Sequence, residues 1–344
     1  MKYLKIFAGL IISGVSLWYS LQGIRFDKVG EALGSLNWWW IVLTTFPFIF
    51  VIWIKIWRWQ YLLHPDKVSL HRLYSSLMIS YLWNTVLPAR LGEVVRAYAV
   101  ARTEKIGTVK VFSSILLEKI LDIITMFIFL VLLLPFLTID DALKTGAIIF
   151  GSLMITAFVV CLVMAWRRRE AEAVIKFFLK PLPQKWQVKL FGFAVEILDT
   201  VGILLNPRIS LILWAQTLPL WVVNVFIYTF VAYAVGLPMP FEVGLMVMIA
   251  SNLGMAVPST PGYIGTFEAV IIAVMPATLN AAYGNRDLVF TYALMEHVVG
   301  FLPVVLLGAY YTWREGLSLG KVEKPTETPA PAELTPVAVV AEKK

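Results

Sequence analysis

The sequence predicts an all-α, polytopic integral membrane protein with about six spanning helices and two re-entrant, broken helical hairpins in an inverted-repeat arrangement. Three observations predict it. Apolar runs of bilayer length recur along the chain, as at 4–23, 113–137 and 146–166. Tryptophans gather at run ends, with Trp38, Trp39 and Trp40 at one end of a run and Trp53, Trp57 and Trp59 at the other, as interfacial girdles do. Lysine and arginine crowd alternate loops. Composition agrees: 59% of residues are hydrophobic and 15% charged, against roughly a quarter charged in soluble domains.

The elements follow in order. Lys2 and Lys5 precede the run 4–23 as in a signal peptide, but no good small-x-small cleavage site follows, so the segment reads as a retained first span. Residues 27–36 read as a short interfacial helix and 38–63 as span two. The segment 71–102 is broken by Pro88 and Gly92. Residues 110–137 and 144–166 are spans three and four. Residues 167–207 mix polar and apolar residues around Pro181 and Pro183 and read as amphipathic interfacial helices. Span five covers 210–235. A second odd segment, 240–277, is broken by Pro258, Pro261, Gly262 and Gly265, and span six covers 287–313. The stretch 316–344, rich in Pro, Glu, Ala, Thr and Lys, reads as a disordered cytoplasmic tail. Residues 1–315 thus form one transmembrane domain, with halves near 38–137 and 209–313 and a cytoplasmic linker near 167–208.

Charge sets the orientation. With the N-terminus inside and each hairpin returning to its side of entry, twenty Lys and Arg fall inside and four, Arg25, Lys28, Lys144 and Arg286, outside. Basic residues favour cytoplasmic loops, so both termini are expected in the cytoplasm of a multi-pass cell-membrane protein. Five cations, Lys55, Arg58, Arg90, Arg96 and Lys119, lie within apolar segments. Lys55 and Arg58, among tryptophans, read as snorkelling anchors. The positive charge flanks apolar runs, which points to membrane orientation rather than nucleic acid. The single cysteine, Cys161, builds neither a disulfide framework nor a zinc site.

The odd segments are each long enough for two half-helices. Irregular backbone at membrane depth must be enclosed by protein or line a wet cavity, because lipid cannot satisfy its hydrogen bonds. The first break reads Asn84-Thr-Val-Leu-Pro88-Ala-Arg90-Leu-Gly92-Glu93. The second runs from Asn252 through Pro258-Ser-Thr-Pro261-Gly262-Tyr-Ile-Gly265-Thr-Phe to Glu268. Each runs Asn, Pro, Gly, Glu in order. The following spans also agree, with Leu116-Leu-Glu118-Lys119 against Leu294-Met-Glu296-His297. Interrupted helices at matching places in two halves of opposite orientation mark a transporter-type site. Asn84 and Asn252 are expected to cap groups freed at the breaks, and Gly92, Gly262 and Gly265 to permit tight turns or close approach.

These motifs, together with Leu117-Glu118-Lys119-Ile-Leu-Asp122, resemble the flippase-like membrane-domain family. It is also called the lysylphosphatidylglycerol synthase transmembrane-region family and includes UPF0104-like proteins. The resemblance covers roughly residues 1–315 and implies a protein that moves or handles a lipid with a polar head. Two departures stand out. The family often has an aromatic-arginine pair near the start of the last span, where this chain has Glu296 and His297. After Trp313 there is no room for an aminoacyl-transferase domain, so the synthase activity of some relatives is not carried over and no enzyme is expected.

The candidate substrate-binding residues are the charges around the breaks. A half-helix starting at Pro88 points orphan N–H groups toward the membrane middle, which favours an anion. Arg90, Glu93 and Arg96 follow at spacing three and leave a net positive site suited to a phosphate head group. The alternative is that Arg90 and Arg96 snorkel or pair with Glu93 and Glu118. Glu118 and Asp122 share a helix face beside Lys119, with Glu118 about 12 Å into its span. Glu268 and Glu296 are the counterparts in the second half. These carboxylates serve either transport or the ion pairs that hold the hairpins. His297 reads as a polar contact.

No Walker motif, zinc spacing, nucleophile elbow or dinucleotide loop is found, so no metal or cofactor is expected and ATP-driven transport by this chain alone is not. The leading expectation is a lipid flippase or transporter for an anionic or polyprenyl-phosphate-type head group. The alternative is a scaffold that presents a lipid to a separate lipid-modifying enzyme or glycosyltransferase.

Overall fold

The computed structural model describes residues 2–87, 91–136, 141–255, 261–275 and 281–316. Pro88, Arg90, Pro258 and the expected tail from residue 317 lie outside the described residues. Thirteen α-helices make up the fold, and no strand occurs among the described residues.

Helix α1 (Lys2–Leu21) turns at Gly23, φ 75°, into the short α2 (Phe26–Gly34). Helix α3 (Trp38–Leu62) starts where the Asn37 side chain accepts the Trp39 N–H at 3.2 Å, satisfying an orphan donor of the first turn. The first odd segment is two helices, α4 (Leu70–Val86) and α5 (Gly92–Glu104), packed on each other. Helix α6 (Thr108–Leu133) closes the first half.

Helix α7 (Asp141–Trp166) is followed by α8 (Arg168–Leu179), which departs from the α7 direction by 111°. Helix α8 packs on α9 (Gln184–Gly202). Phe177, Phe178 and Trp186 are exposed there beside Lys176, Lys180, Lys185 and Lys189, the pattern of helices lying at an interface.

The second half repeats the order of the first. Helix α10 (Pro207–Ala234) begins at an Asn206 cap. Helices α11 (Phe241–Gly254) and α12 (Thr266–Val274) pack as the second hairpin, and α13 (Arg286–Arg314) follows.

Among the described residues three helices are able, by length and composition, to cross a membrane: α3, α10 and α13. Helices α7 and α8 add a fourth if the bent pair is taken as one span. Helix α6, 26 residues long, has the length, but Glu118, Lys119 and Asp122 sit mid-helix and remove it from a hydropathy count. The hairpin helices have 17, 13, 14 and 9 residues. At 1.5 Å per residue they reach roughly 26, 20, 21 and 14 Å, short of the hydrocarbon thickness of about 30 Å.

The polarity of the molecule is inverted relative to a protein folded in water. Outward faces carry Trp39, Phe46, Ile49 and Trp53 on α3, Ile149 and Leu153 on α7, and Leu302 and Leu306 on α13, all exposed. The interior holds Arg58, Arg96, Glu118, Asp122, Glu268 and Glu296, all buried. Lipid solvates the apolar exterior, and the buried charges must find partners inside the protein.

Close backbone contact fixes the first hairpin. A Cβ on Gly92 would stand 2.2 Å from the Ser80 carbonyl oxygen and 2.6 Å from the Asn84 nitrogen, so α5 meets α4 where only glycine fits. Helix α3 packs along α10 and α4 along α13, and the short turn Pro261–Tyr263 packs on α4. The two breaks therefore meet: the Cβ position of Gly262 lies 3.6 Å from Thr85 Cγ2.

Candidate functional site

Where the hairpins meet, α3, α4, α5, α6, α10, α11, α12 and α13 enclose a cavity of about 210 Å³. Its polar lining includes Lys55, Tyr81, Asn84, Glu93, Lys119, Asn224, Tyr228, Asn252 and Glu296, and its apolar lining includes Phe48, Trp221, Phe267 and Phe301. Every helix of both halves contributes a wall residue.

Behind the wall of the first half lies an ion network. Arg58, fully buried, donates from Nη1 to Asp122 Oδ1 at 2.7 Å and to Thr217 Oγ1 at 3.1 Å, and its Nη2 stands 3.6 Å from Glu118 Oε1. Trp221 Nε1 also donates to Asp122 Oδ1, at 3.1 Å. Arg96, also fully buried, reaches Glu118 Oε2 at 3.2 Å and lies 3.6 Å over the Trp59 ring. The network joins α3, α5, α6 and α10. Glu93 links it to the cavity: it pairs with Lys119 at 3.2 Å and Arg96 at 3.7 Å, and accepts from Ser80 Oγ and Asn84 Nδ2 at 3.3 Å each.

The second half has a simpler arrangement. Glu268 Oε2 accepts the Gly265 N–H at 2.7 Å, closing the start of α12 at a residue with φ 86°, which favours glycine. Its Oε1 is 2.5 Å from His297 Nδ1, and the His297 ring packs on Phe267 and Phe301. Glu296 lines the cavity, and its Oε2 has no hydrogen-bond partner among the described residues.

The sequence-predicted residues thus separate into groups. Glu93, Lys119, Glu296, Asn84 and Asn252 are on the cavity wall. Arg96, Glu118 and Asp122 stand behind it, Arg96 paired with Glu118 and Asp122 with Arg58, and Glu268 and His297 form a pair of their own. Among the described residues Asn84 caps no backbone group; its amide donates to Glu93, because α5 brings that carboxylate alongside α4, and the break at 88–90 lies outside the described residues. The Asn252 amide donates to Met248 O one turn back in α11. Gly92 and Gly265 serve the close approach and positive φ expected of them, and Gly262 has φ 73°.

Lys55 and Arg58 correct the sequence reading. Neither snorkels to an interface. Arg58 has no exposed surface and three polar partners, while Lys55 faces the cavity and donates to Tyr81 Oη at 3.2 Å. Their spacing of three within an apolar helix was the available signal, since an ionisable residue inside a membrane helix is a functional candidate by default. Among the described residues, Lys55, Arg58, Arg96 and Lys119 face the carboxylates Glu93, Glu118 and Asp122, each of which has a cation within 4 Å. Lys55 is the cation left over, and it points into the cavity.

Comparison with known proteins gives a consistent setting. The sequence profile described as lysylphosphatidylglycerol synthase TM region matches residues 6–308. A UPF0104 membrane protein of Methanocaldococcus jannaschii is 23% identical over 255 residues, covering 70% of this chain and 98% of that protein. The glycosyltransferase AglD of Haloferax volcanii is 24% identical over 260 residues, covering 66% of this chain and 40% of that protein. No solved structure matches the chain.

Proposed function

Because the chain belongs to the lysylphosphatidylglycerol synthase transmembrane-region family and its two broken hairpins enclose a charged cavity, we propose that it translocates a lipid with an anionic or phosphate-linked head group across the cell membrane. The observation that carries the reading is the cavity itself: one cation without a carboxylate, Lys55, and the amides of Asn84, Asn224 and Asn252 line a space sized for a head group, not for acyl tails. A phosphate would take charge-assisted hydrogen bonds from Lys55 and neutral ones from the amides. Aromatic and aliphatic walls would exclude bulk water and strengthen those bonds. The proposal assigns the chain transport and no bond-making chemistry of its own.

Matching helix contacts in the two halves support an inverted repeat and, with it, alternating access. Exchanging α3 with α10, α4 with α11, α5 with α12 and α6 with α13 maps the α4–α13 contact onto α11–α6, α5–α6 onto α12–α13, and α3–α6 onto α10–α13. The same exchange maps the Glu93–Lys119 pair onto Glu268–His297. Two such halves, each a span, a re-entrant hairpin and a span, would rock about the shared cavity and expose it to either side in turn. On this reading α1 and α7 are spans as well, for six spans and two hairpins with both termini cytoplasmic.

A second reading is favoured by one observation: the relative AglD carries a glycosyltransferase name, and this chain covers 40% of its length. The membrane domain would then present a lipid to a separate enzyme. Mass spectrometry of lipids retained after purification in mild detergent tests the shared premise. A phosphate-headed lipid near one copy per chain, lost in Lys55→Ala, is the expected result. Equal retention in both proteins would remove the cavity from the account. Stable co-purification of a glycosyltransferase, with no lipid movement by the isolated chain, would favour the scaffold.

A further inference from the structure

The two halves surround one equivalent glutamate differently. In the first, Glu118 lies between the guanidinium groups of Arg58 and Arg96. In the second, Glu296 holds the matching place in the last span, one residue before the basic partner of the hairpin glutamate. The residue matching Arg96, three after that glutamate, is Ile271, which is fully buried. Glu296 is 3% exposed, lines the cavity, and leaves Oε2 without a hydrogen-bond partner among the described residues. An ionised carboxylate cannot be held cheaply at this depth without a counter-charge. The wall around it also offers the oxygens of Asn224, Tyr228 and Asn252, hard donors of the kind that small cations take.

We propose that Glu296 is the cavity's binding site for a coupling cation, a proton or Na⁺. Bound there, the cation cancels the one carboxylate that faces the cavity without a partner and leaves Lys55 to hold an anionic head group, so cation and head group load together. The inference rests on the transport reading and supplies its energy source. Other titratable groups face the cavity from neighbouring helices: Lys55 and Tyr81, the Glu93–Lys119 pair, and Tyr228 and Tyr263. On or against α13 lie Tyr292 and the Glu268–His297 pair. Of the other carboxylates among these, Glu93 is ion-paired with Lys119 and Glu268 is held by His297 and the Gly265 N–H, which makes Glu296 the distinctive target for a reagent selective for uncharged, buried acids.

Dicyclohexylcarbodiimide is such a reagent, and mass spectrometry of the purified full chain locates its adduct. The expected adduct is on Glu296, and Glu118 and Glu268 remain unmodified. If the cation is a proton, labelling falls about tenfold per pH unit beyond its midpoint, as for any single site. If it is Na⁺, labelling at fixed pH falls several-fold on adding Na⁺ but not choline, in line with simple competition. Glu296→Gln abolishes the adduct, and Glu296→Asp restores it. No adduct on Glu296 in folded wild type, or an adduct insensitive to both pH and Na⁺, overturns the proposal. Fluorescent phosphatidylglycerol in proteoliposomes with an imposed pH or Na⁺ gradient separates the two ideas. A cation-sensitive adduct in a protein that moves no lipid sinks transport and leaves the cation site. Lipid movement indifferent to both gradients, with no adduct, sinks the cation site and leaves transport.

Discussion

The first half of the molecule gives each of its buried carboxylates a cation, and the second half leaves one, Glu296, bare. Around α5 and α6, Glu93, Glu118 and Asp122 each have a cation within 4 Å, and the guanidinium groups of Arg58 and Arg96 tie four helices together. Around α12 and α13, among the described residues, Glu268 contacts His297, Asp287 at the start of α13 pairs with Arg25 at 2.8 Å, and Glu296 is bare. The same chain order, long helix, broken hairpin, long helix, therefore yields a charge-locked half and a half held mainly by apolar contacts. The difference suggests a division of labour: a fixed frame on one side and a responsive element on the other.

The largest expected effect breaks the lock. Arg58→Ala leaves Asp122 without its 2.7 Å partner and Glu118 with one cation fewer. Removal of one partner from a buried pair costs about 3–5 kcal/mol, so thermal unfolding in detergent should move to clearly lower temperature. Unchanged unfolding would mean that the network is not a frame. Next comes Gly92→Ala, whose methyl would overlap the Ser80 carbonyl oxygen. Overpacking of this kind costs about 1–3 kcal/mol, and the same substitution at Gly300, which meets no atom within 4 Å, serves as the control expected to leave stability unaffected. Smaller again is Glu268→Gln, which keeps a polar group in place and loses only part of the contacts to Gly265 and His297. If Glu268→Gln proved as damaging as Arg58→Ala, the contrast between the halves would fail. The smallest effect on folding belongs to Lys55→Ala, since Lys55 has one neutral partner. Its effect should be on head-group binding, about tenfold or more for a lost charge-assisted bond.

The helix inventory was readable from sequence because apolar length, tryptophan position and Pro–Gly breaks are local signals. Residues 71–102 and 240–277 were placed as broken hairpins on that basis, and helices do stop at Val86 and restart at Gly92, and stop at Gly254 and restart at Thr266. The match between Glu93 and Glu268 was legible too, because order survives without coordinates. What sequence could not supply was rotation about each helix axis. Glu118 and Lys119 are neighbours, yet one faces Arg96 behind the wall and the other faces Glu93 on it. Arg58 looked like an anchor because its partners Asp122 and Thr217 lie 64 and 159 residues away. Lys55 was missed for the same reason: its role follows from facing α4 and α10, and nothing within one turn of α3 announces it.

The central claim is that the cavity between the two hairpins carries a lipid head group across the membrane. Purified full-length protein reconstituted into vesicles containing a trace of fluorescent phosphatidylglycerol tests it directly, with reagent quenching of the outer leaflet as the readout. Lipid from the inner leaflet becoming quenchable in wild-type vesicles, and about tenfold more slowly in Lys55→Ala vesicles of equal protein content, is the predicted result. Rates equal to protein-free vesicles, from a protein shown to be folded after reconstitution, would contradict it.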